Sequence, residues 1–198
     1  MLHGASRAIL VTVAAVLVGT LGGAVAPPQG KAEGPDSLVM LVDALAERLA
    51  VAEPVAAFKW GAHAPIEDPA RVEQELVALR EDAASTDVDP DLVARVFRDQ
   101  IDATEAIEYQ RFAEWKLDPA TVPPAPADLA ASRAAIDALN TKILSHIALN
   151  RSLLGSPACP GLLRQARAEV TRQRGLDNLY QRALSTATAS YCQPQPHT

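Results

Sequence analysis

Aromatic side chains are scarce in this sequence, with two Trp, three Tyr and three Phe among 198 residues. Runs of β-branched or alternating residues are short. Together these shortages exclude a fold built mainly on sheets. Only four histidines occur, His3, His63, His146 and His197, without ligand spacing, and only two cysteines, Cys159 and Cys192. No metal site is therefore expected. A glycine-rich phosphate loop, a G-x-S-x-G elbow and a nucleophile–base pair are all missing, so any reaction run here needs neither a cofactor nor a covalent intermediate. Basic residues are also in deficit, 18 Lys and Arg against 24 Asp and Glu for a net charge of −6. An acidic chain without a basic tail argues against nucleic acid and against an anionic lipid surface.

What is present begins with a targeting pattern. Arg7 supplies a positive start, residues 8–26 are apolar with interspersed glycines, and small residues follow. This reads as a signal peptide over residues 1–32, cut after Ala32 with Gly30 two residues before it. A cut after Ala26 would put Pro27 behind the scissile bond, a poor arrangement for the peptidase. A retained membrane anchor is the competing reading, disfavoured by the glycines and the small-residue site. Cleavage removes Arg7 and Lys31 and takes the charge from −6 to −8. Residues 33–198 then form one domain, secreted or periplasmic, with no membrane association after cleavage. In an exported chain, Cys159 and Cys192 are expected to form a disulfide. It closes a loop of about 33 residues, worth roughly 3–4 kcal/mol on the chain-entropy model.

Apolar spacing is helical throughout this domain, which predicts an all-α, single-domain bundle of about six helices with one C-terminal disulfide. Helices are expected over residues 37–52, 54–62, 69–85 and 90–115. Asp68-Pro69 and Asp89-Pro90 each supply a cap followed by a first-turn proline. The proline-rich stretch 117–128 is a loop. Asp128 opens a long helix to about residue 154, and shorter helices follow over 162–174 and 176–190, separated by Gly175.

The informative feature is where polar residues interrupt the apolar stripes. Arg48 follows Leu38, Leu41 and Leu45 on the first helix. Thr104 and Glu108 fall in the middle of the stripe drawn by Val93, Phe97, Ile101 and Phe112, which lie within about 60° of one line along the helix. Arg133 sits among Leu129, Ile136, Ile143 and Ile147. Arg71 and Glu75 share one edge of the stripe Val72, Leu76, Leu79 and Ala83. A buried unpaired charge costs several kcal/mol, so these groups need partners or a ligand. Internal pairing, such as Glu108 with Arg133 or with Arg111, is one reading. Three cations facing only Glu75 and Glu108 favour the other, a small anion between the helices. A dicarboxylate suits such a site, because each guanidinium can grip a carboxylate with two hydrogen bonds.

The segments Glu53-Pro-Val-Ala-Ala-Phe-Lys-Trp60, Thr104-Glu-Ala-Ile-Glu-Tyr109, Ser132-Arg-Ala-Ala-Ile-Asp137 and Leu179-Tyr-Gln-Arg-Ala-Leu184 closely resemble the exported (gamma) subclass of the all-helical AroQ-type chorismate mutases. The likeness runs from about residue 37 to residue 192. It implies that substrate meets Arg48, Lys59, Arg71, Thr104, Glu108 and Arg133. Periodicity reaches five of these. Lys59, between Phe58 and Trp60, otherwise reads as a solvated lysine. Asp68, three residues before Arg71, matches an acidic position that can lie at the substrate, beside its role as a helix cap. Glu75 stands where close relatives of the family carry glutamine.

The resemblance further implies a homodimer with a complete site in each protomer, and a [3,3] rearrangement of chorismate to prephenate. That reaction requires no proton transfer, in agreement with the missing catalytic bases. Orientation and preorganised electrostatics suffice. Arg48 and Arg133 would clamp carboxylates, with Arg71 completing the cationic wall. Thr104 would hydrogen-bond a carboxylate, Lys59 would donate to the ether oxygen, and Glu108 would do so when protonated. The alternative is a non-catalytic exported module that binds a small dicarboxylate.

Overall fold

The computed structural model describes residues 35–192, and the expected signal peptide lies outside the described residues. Among the described residues there are eight α-helices, one short 3₁₀ turn and no strand, as the all-α reading expects. The helices are α1 (Pro35–Ala50), α2 (Ala52–Ala62), α3 (Pro69–Ser85), α4 (Pro90–Leu117), α5 (Ala130–Leu149), α6 (Arg151–Leu154), α7 (Cys159–Arg174) and α8 (Asn178–Ala187). No helix among them is long and apolar enough to cross a membrane.

The capping signals act where the sequence places them. The Asp68 carboxylate accepts from the Arg71 backbone N–H at 3.1 Å, and Asp89 accepts from Asp91 N–H at 2.9 Å. Asp128 accepts from Ala130 N–H at 2.7 Å just ahead of α5, whose N-cap position falls one residue later, at Leu129. Gly175 ends α7 at φ 60°, a left-handed conformation that glycine adopts without a Cβ penalty. Asp177 then caps α8 through the Tyr180 N–H. One predicted element divides. The helix expected to reach residue 154 breaks at Asn150, whose side chain donates to the His146 carbonyl at 2.7 Å, and α6 restarts beyond it. With the short α2 counted separately, the number of helices rises from about six to eight.

Helix α1 is the hub. It packs against α7, α5 and α8, and touches α4. Its stripe of Leu38, Leu41, Leu45 and Leu49 is fully buried beside Val93, Phe97, Ile107, Ile143 and Ile147. The 28-residue α4, about 42 Å long at the helical rise, lies along α3, α2 and α8. The few aromatics serve a particular purpose here. Trp60 of α2 meets Phe112 and Trp115 of α4 edge-on, with ring centroids 5.2 and 5.9 Å apart. This small second core pins α2 to α4, and with it Lys59, the residue before Trp60. The expected disulfide joins Cys159 to Cys192, tying the end of the described chain to the start of α7.

Candidate active site

Between α1, α2, α3, α4 and α5 lies a cavity of about 140 Å³. Its polar lining comprises Arg48, Lys59, Asp68, Arg71, Glu75, Thr104, Glu105 and Glu108, with Val51, Val55, Ile66, Val72, Ile101 and Ile136 as apolar walls. Seven of the eight residues predicted for the site are thus brought together from four helices and the Asp68 cap. The volume lies below the roughly 300–1,000 Å³ of ordinary small-molecule pockets, and the principal charged side chains within it are already paired with one another.

Two ion pairs organise the lining. Arg48 Nη2 donates to Glu75 Oε1 at 2.8 Å, and Arg48 Nε donates to Asn140 Oδ1 at 2.7 Å. Lys59 Nζ donates to Glu108 Oε2 at 2.8 Å and to the Ile66 carbonyl at 2.6 Å. Arg48 is 4% exposed and Glu108 2%, so both are true interior charges. Burial is the largest influence on Glu108 and pushes its carboxyl above the usual range. Lys59 opposes that shift and Glu105 adds to it. Glu105 itself is raised, chiefly by burial and then by Glu67 and Asp102. Thr104 donates its hydroxyl to the Gln100 carbonyl at 2.8 Å, so binding a carboxylate would require the hydroxyl to turn.

In three respects the structure differs from the pattern of the sequence. First, Arg133 is exposed and does not line the cavity. It stands one helical turn before Ile136, which does line it, but the start of α5 has little packed over it: between residues 130 and 142 only Ser132 and Asn140 are buried. Periodicity assigns Arg133 to the correct side of the helix, while coverage by a neighbouring helix is a separate matter. Second, the pairings differ from those foreseen. Glu108 pairs with Lys59 rather than with an arginine, and Arg111 pairs with Glu53 and Glu114. Third, the lining is not cation-rich. Glu105 joins Asp68, Glu75 and Glu108, so four carboxylates face three cations. Glu105 escapes sequence reasoning because it sits at the edge of the α4 stripe. Asn140 lies in the middle of the α5 stripe, where the criterion that finds Arg48 and Glu108 would also have found it.

An all-helical bundle with guanidinium, ammonium and carboxyl groups gathered in one small cavity defines the class to which the chain belongs, that of helical proteins with a charged interior site. Comparison with known proteins makes the class specific. The family described as chorismate mutase type II matches residues 39–109, a span that carries every lining side chain except Ile136. The chain is 58% identical over 191 residues to the secreted chorismate mutase of Mycobacterium tuberculosis (strain ATCC 25618 / H37Rv), covering 96% of this chain and 94% of that one. It is 44% identical over 180 residues to the secreted chorismate mutase of Mycolicibacterium smegmatis (strain ATCC 700084 / mc(2)155), covering 91% and 99% respectively. Among solved structures, the chorismate mutase of Burkholderia thailandensis superposes with a TM-score of 0.74 at 33% identity, over 79% of this chain and 99% of that chain. The chain belongs to the chorismate mutase type II family.

Proposed function

We propose that this protein is an exported chorismate mutase that rearranges chorismate to prephenate in the cavity between α1 and α4. The observation that carries the reading is the pairing of the Lys59 ammonium with the Glu108 carboxyl, 2.8 Å apart inside a cavity that also holds Arg48 and Arg71. A [3,3] shift breaks a C–O bond as a C–C bond forms, and negative charge builds on the ether oxygen. Two adjacent donors aimed at that oxygen stabilise the transition state more than the ground state. Arg48 and Arg71 take the carboxylates. Arg133 completes the grip from the rim, one helical turn from Ile136, when its long side chain folds over the cavity mouth. Glu75 accepts from the substrate hydroxyl. Export is supported by the secreted relatives and by the disulfide, with residues 1–32 removed as the signal peptide. The homodimer implied by the family resemblance belongs to the same reading, and the exposed Met40, Val77 and Leu149 offer apolar surface to it.

The direct test is chorismate consumption by the purified protein, with prephenate identified as product. A folded protein that binds chorismate without converting it would instead be a dicarboxylate-binding module. Arg133 supplies a companion test. Because its side chain is exposed, Arg133→Ala should leave thermal stability unchanged, within about 0.5 kcal/mol. At the same time kcat/KM should fall by about tenfold or more, as expected for a lost charge-assisted grip. Unchanged kcat/KM would take Arg133 out of the site.

Glu108 gives the reading a pH signature. It donates to the ether oxygen only when protonated, and burial raises its pKa. Protonation also removes one of the four negative charges facing a dianion. Both effects favour the acid side, so kcat/KM should be highest below the raised Glu108 pKa and fall as pH rises through it. Glu108→Gln carries a permanent donor and no charge, so its profile should be flat over that interval. A Gln variant retaining the wild-type decline would assign the titration to another group.

A further inference from the structure

Asn140 lies wholly outside the roles assigned above, yet its amide touches both members of the deeper ion pair. Its Oδ1 accepts from Arg48 Nε at 2.7 Å, and its Nδ2 donates to Glu75 Oε1 at 3.1 Å. The same Glu75 oxygen accepts from Arg48 Nη2 at 2.8 Å. The three groups close a ring that joins α1, α3 and α5, and Asn140 is 6% exposed. A guanidinium presents two forked edges, Nε with Nη2 from the side and Nη1 with Nη2 from the end. Protein groups fill the side edge completely. We propose that Asn140 is a positioning residue: with Glu75 it holds the side edge of Arg48 and so turns the end edge, Nη1 and Nη2, towards a carboxylate of the bound substrate. This rests on the reading of the cavity as a chorismate site.

The residue type follows from the geometry. One group must accept from a cation on one side and donate to a carboxylate on the other, and a primary amide does both. An aspartate would confront Glu75 with a like charge. An apolar side chain would leave Arg48 Nε buried without an acceptor, a loss larger than the bond itself. Asp137, one turn earlier on α5, contributes only at a distance to the field at Arg48. Because both partners of the amide are ionic, its bonds belong to the stronger class.

The test uses the full protein and compares kcat, KM for chorismate and melting temperature. Wild-type turnover is measured first, since its absence would sink the chorismate reading independently of Asn140. Asn140→Asp should raise KM by about tenfold, with a smaller effect on kcat, because the grip on a carboxylate is what loosens. The exchange variant Asn140→Asp with Glu75→Gln restores the ring with its second bond reversed. The carboxylate introduced on α5 would then accept from both Arg48 and the new amide on α3, and the total charge returns to that of wild type. KM should fall at least about threefold from its Asn140→Asp value, a reciprocal rescue characteristic of directly coupled residues. A wild-type KM in Asn140→Asp, or an exchange variant no better than Asn140→Asp, overturns the proposal. Should Asn140→Asp fail to fold, Asn140→Ala removes both bonds without adding charge. Raised KM in that variant supports the proposal, and unchanged KM overturns it.

Discussion

Replacing Lys59 with alanine should lower kcat by about 10²–10³-fold, the usual effect of removing one preorganised donor to a developing oxyanion. The structure gives this lysine, exposed-looking in the sequence, a fixed setting suited to the proposed role. Its side chain is 17% exposed, Trp60 beside it is packed against Phe112 and Trp115, and the Ile66 carbonyl and Glu108 fix its ammonium from two sides. KM should move less than kcat, because the interaction strengthens only as charge builds on the ether oxygen. Stability should respond with a distinct pH dependence. Without Lys59, nothing offsets the burial that already raises Glu108, so the folded state holds a proton that the unfolded chain releases. The variant therefore loses stability as pH rises from the ordinary carboxyl range towards the raised Glu108 value. Rates and melting temperatures measured across that range check both parts. An unchanged kcat in a folded Lys59→Ala protein would remove Lys59 from the chemistry.

Arg48→Ala should be damaging in two separable ways. Arg48 is buried and makes the only ion pair of Glu75 among the described residues. Removing one partner of a buried pair costs about 3–5 kcal/mol. The lower end applies here, because Glu75 is 17% exposed and can reach water through the cavity. The catalytic loss should exceed about 100-fold in kcat/KM, since the proposed two-pronged carboxylate grip disappears with the side chain. Denaturant unfolding gives the first quantity and initial rates the second. A folded variant with wild-type kcat/KM would mean that Arg48 serves only to pair with Glu75.

These two residues also show how far the sequence can be read. Arg48 is visible because a charge interrupts an otherwise continuous leucine stripe, and such an interruption needs a partner whatever the fold. Lys59 has no such context. Its neighbours Phe58 and Trp60 are equally consistent with a surface lysine, and only family resemblance selects it. Thr104 and Glu108 are legible as a pair one turn apart on α4, whereas the identity of the Glu108 partner is not. Lys59 and Glu108 are 49 residues apart, and no local pattern specifies which of several cations meets a given carboxylate. Arg133 marks the opposite limit. Periodicity reports the direction in which a side chain leaves its helix, and it is silent on whether another helix lies there.

By itself the sequence determined the all-helical class, the starts of α3 and α4 through their Asp-Pro caps, and the pairing of the two cysteines. It also marked four helices as carrying polar residues on their apolar faces. These properties are local, or follow from composition, because caps and 3.6-residue periodicity act within a few turns. Tertiary structure alone decided which polar groups meet. It set Glu75 and Asn140 against Arg48, turned Lys59 onto Glu108, and left Arg133 exposed. It also added Glu105 to the lining, so that carboxyl groups outnumber cations there. Such juxtapositions depend on how helices far apart in the chain cross and how deeply each is covered, and neither quantity is encoded within a single helix.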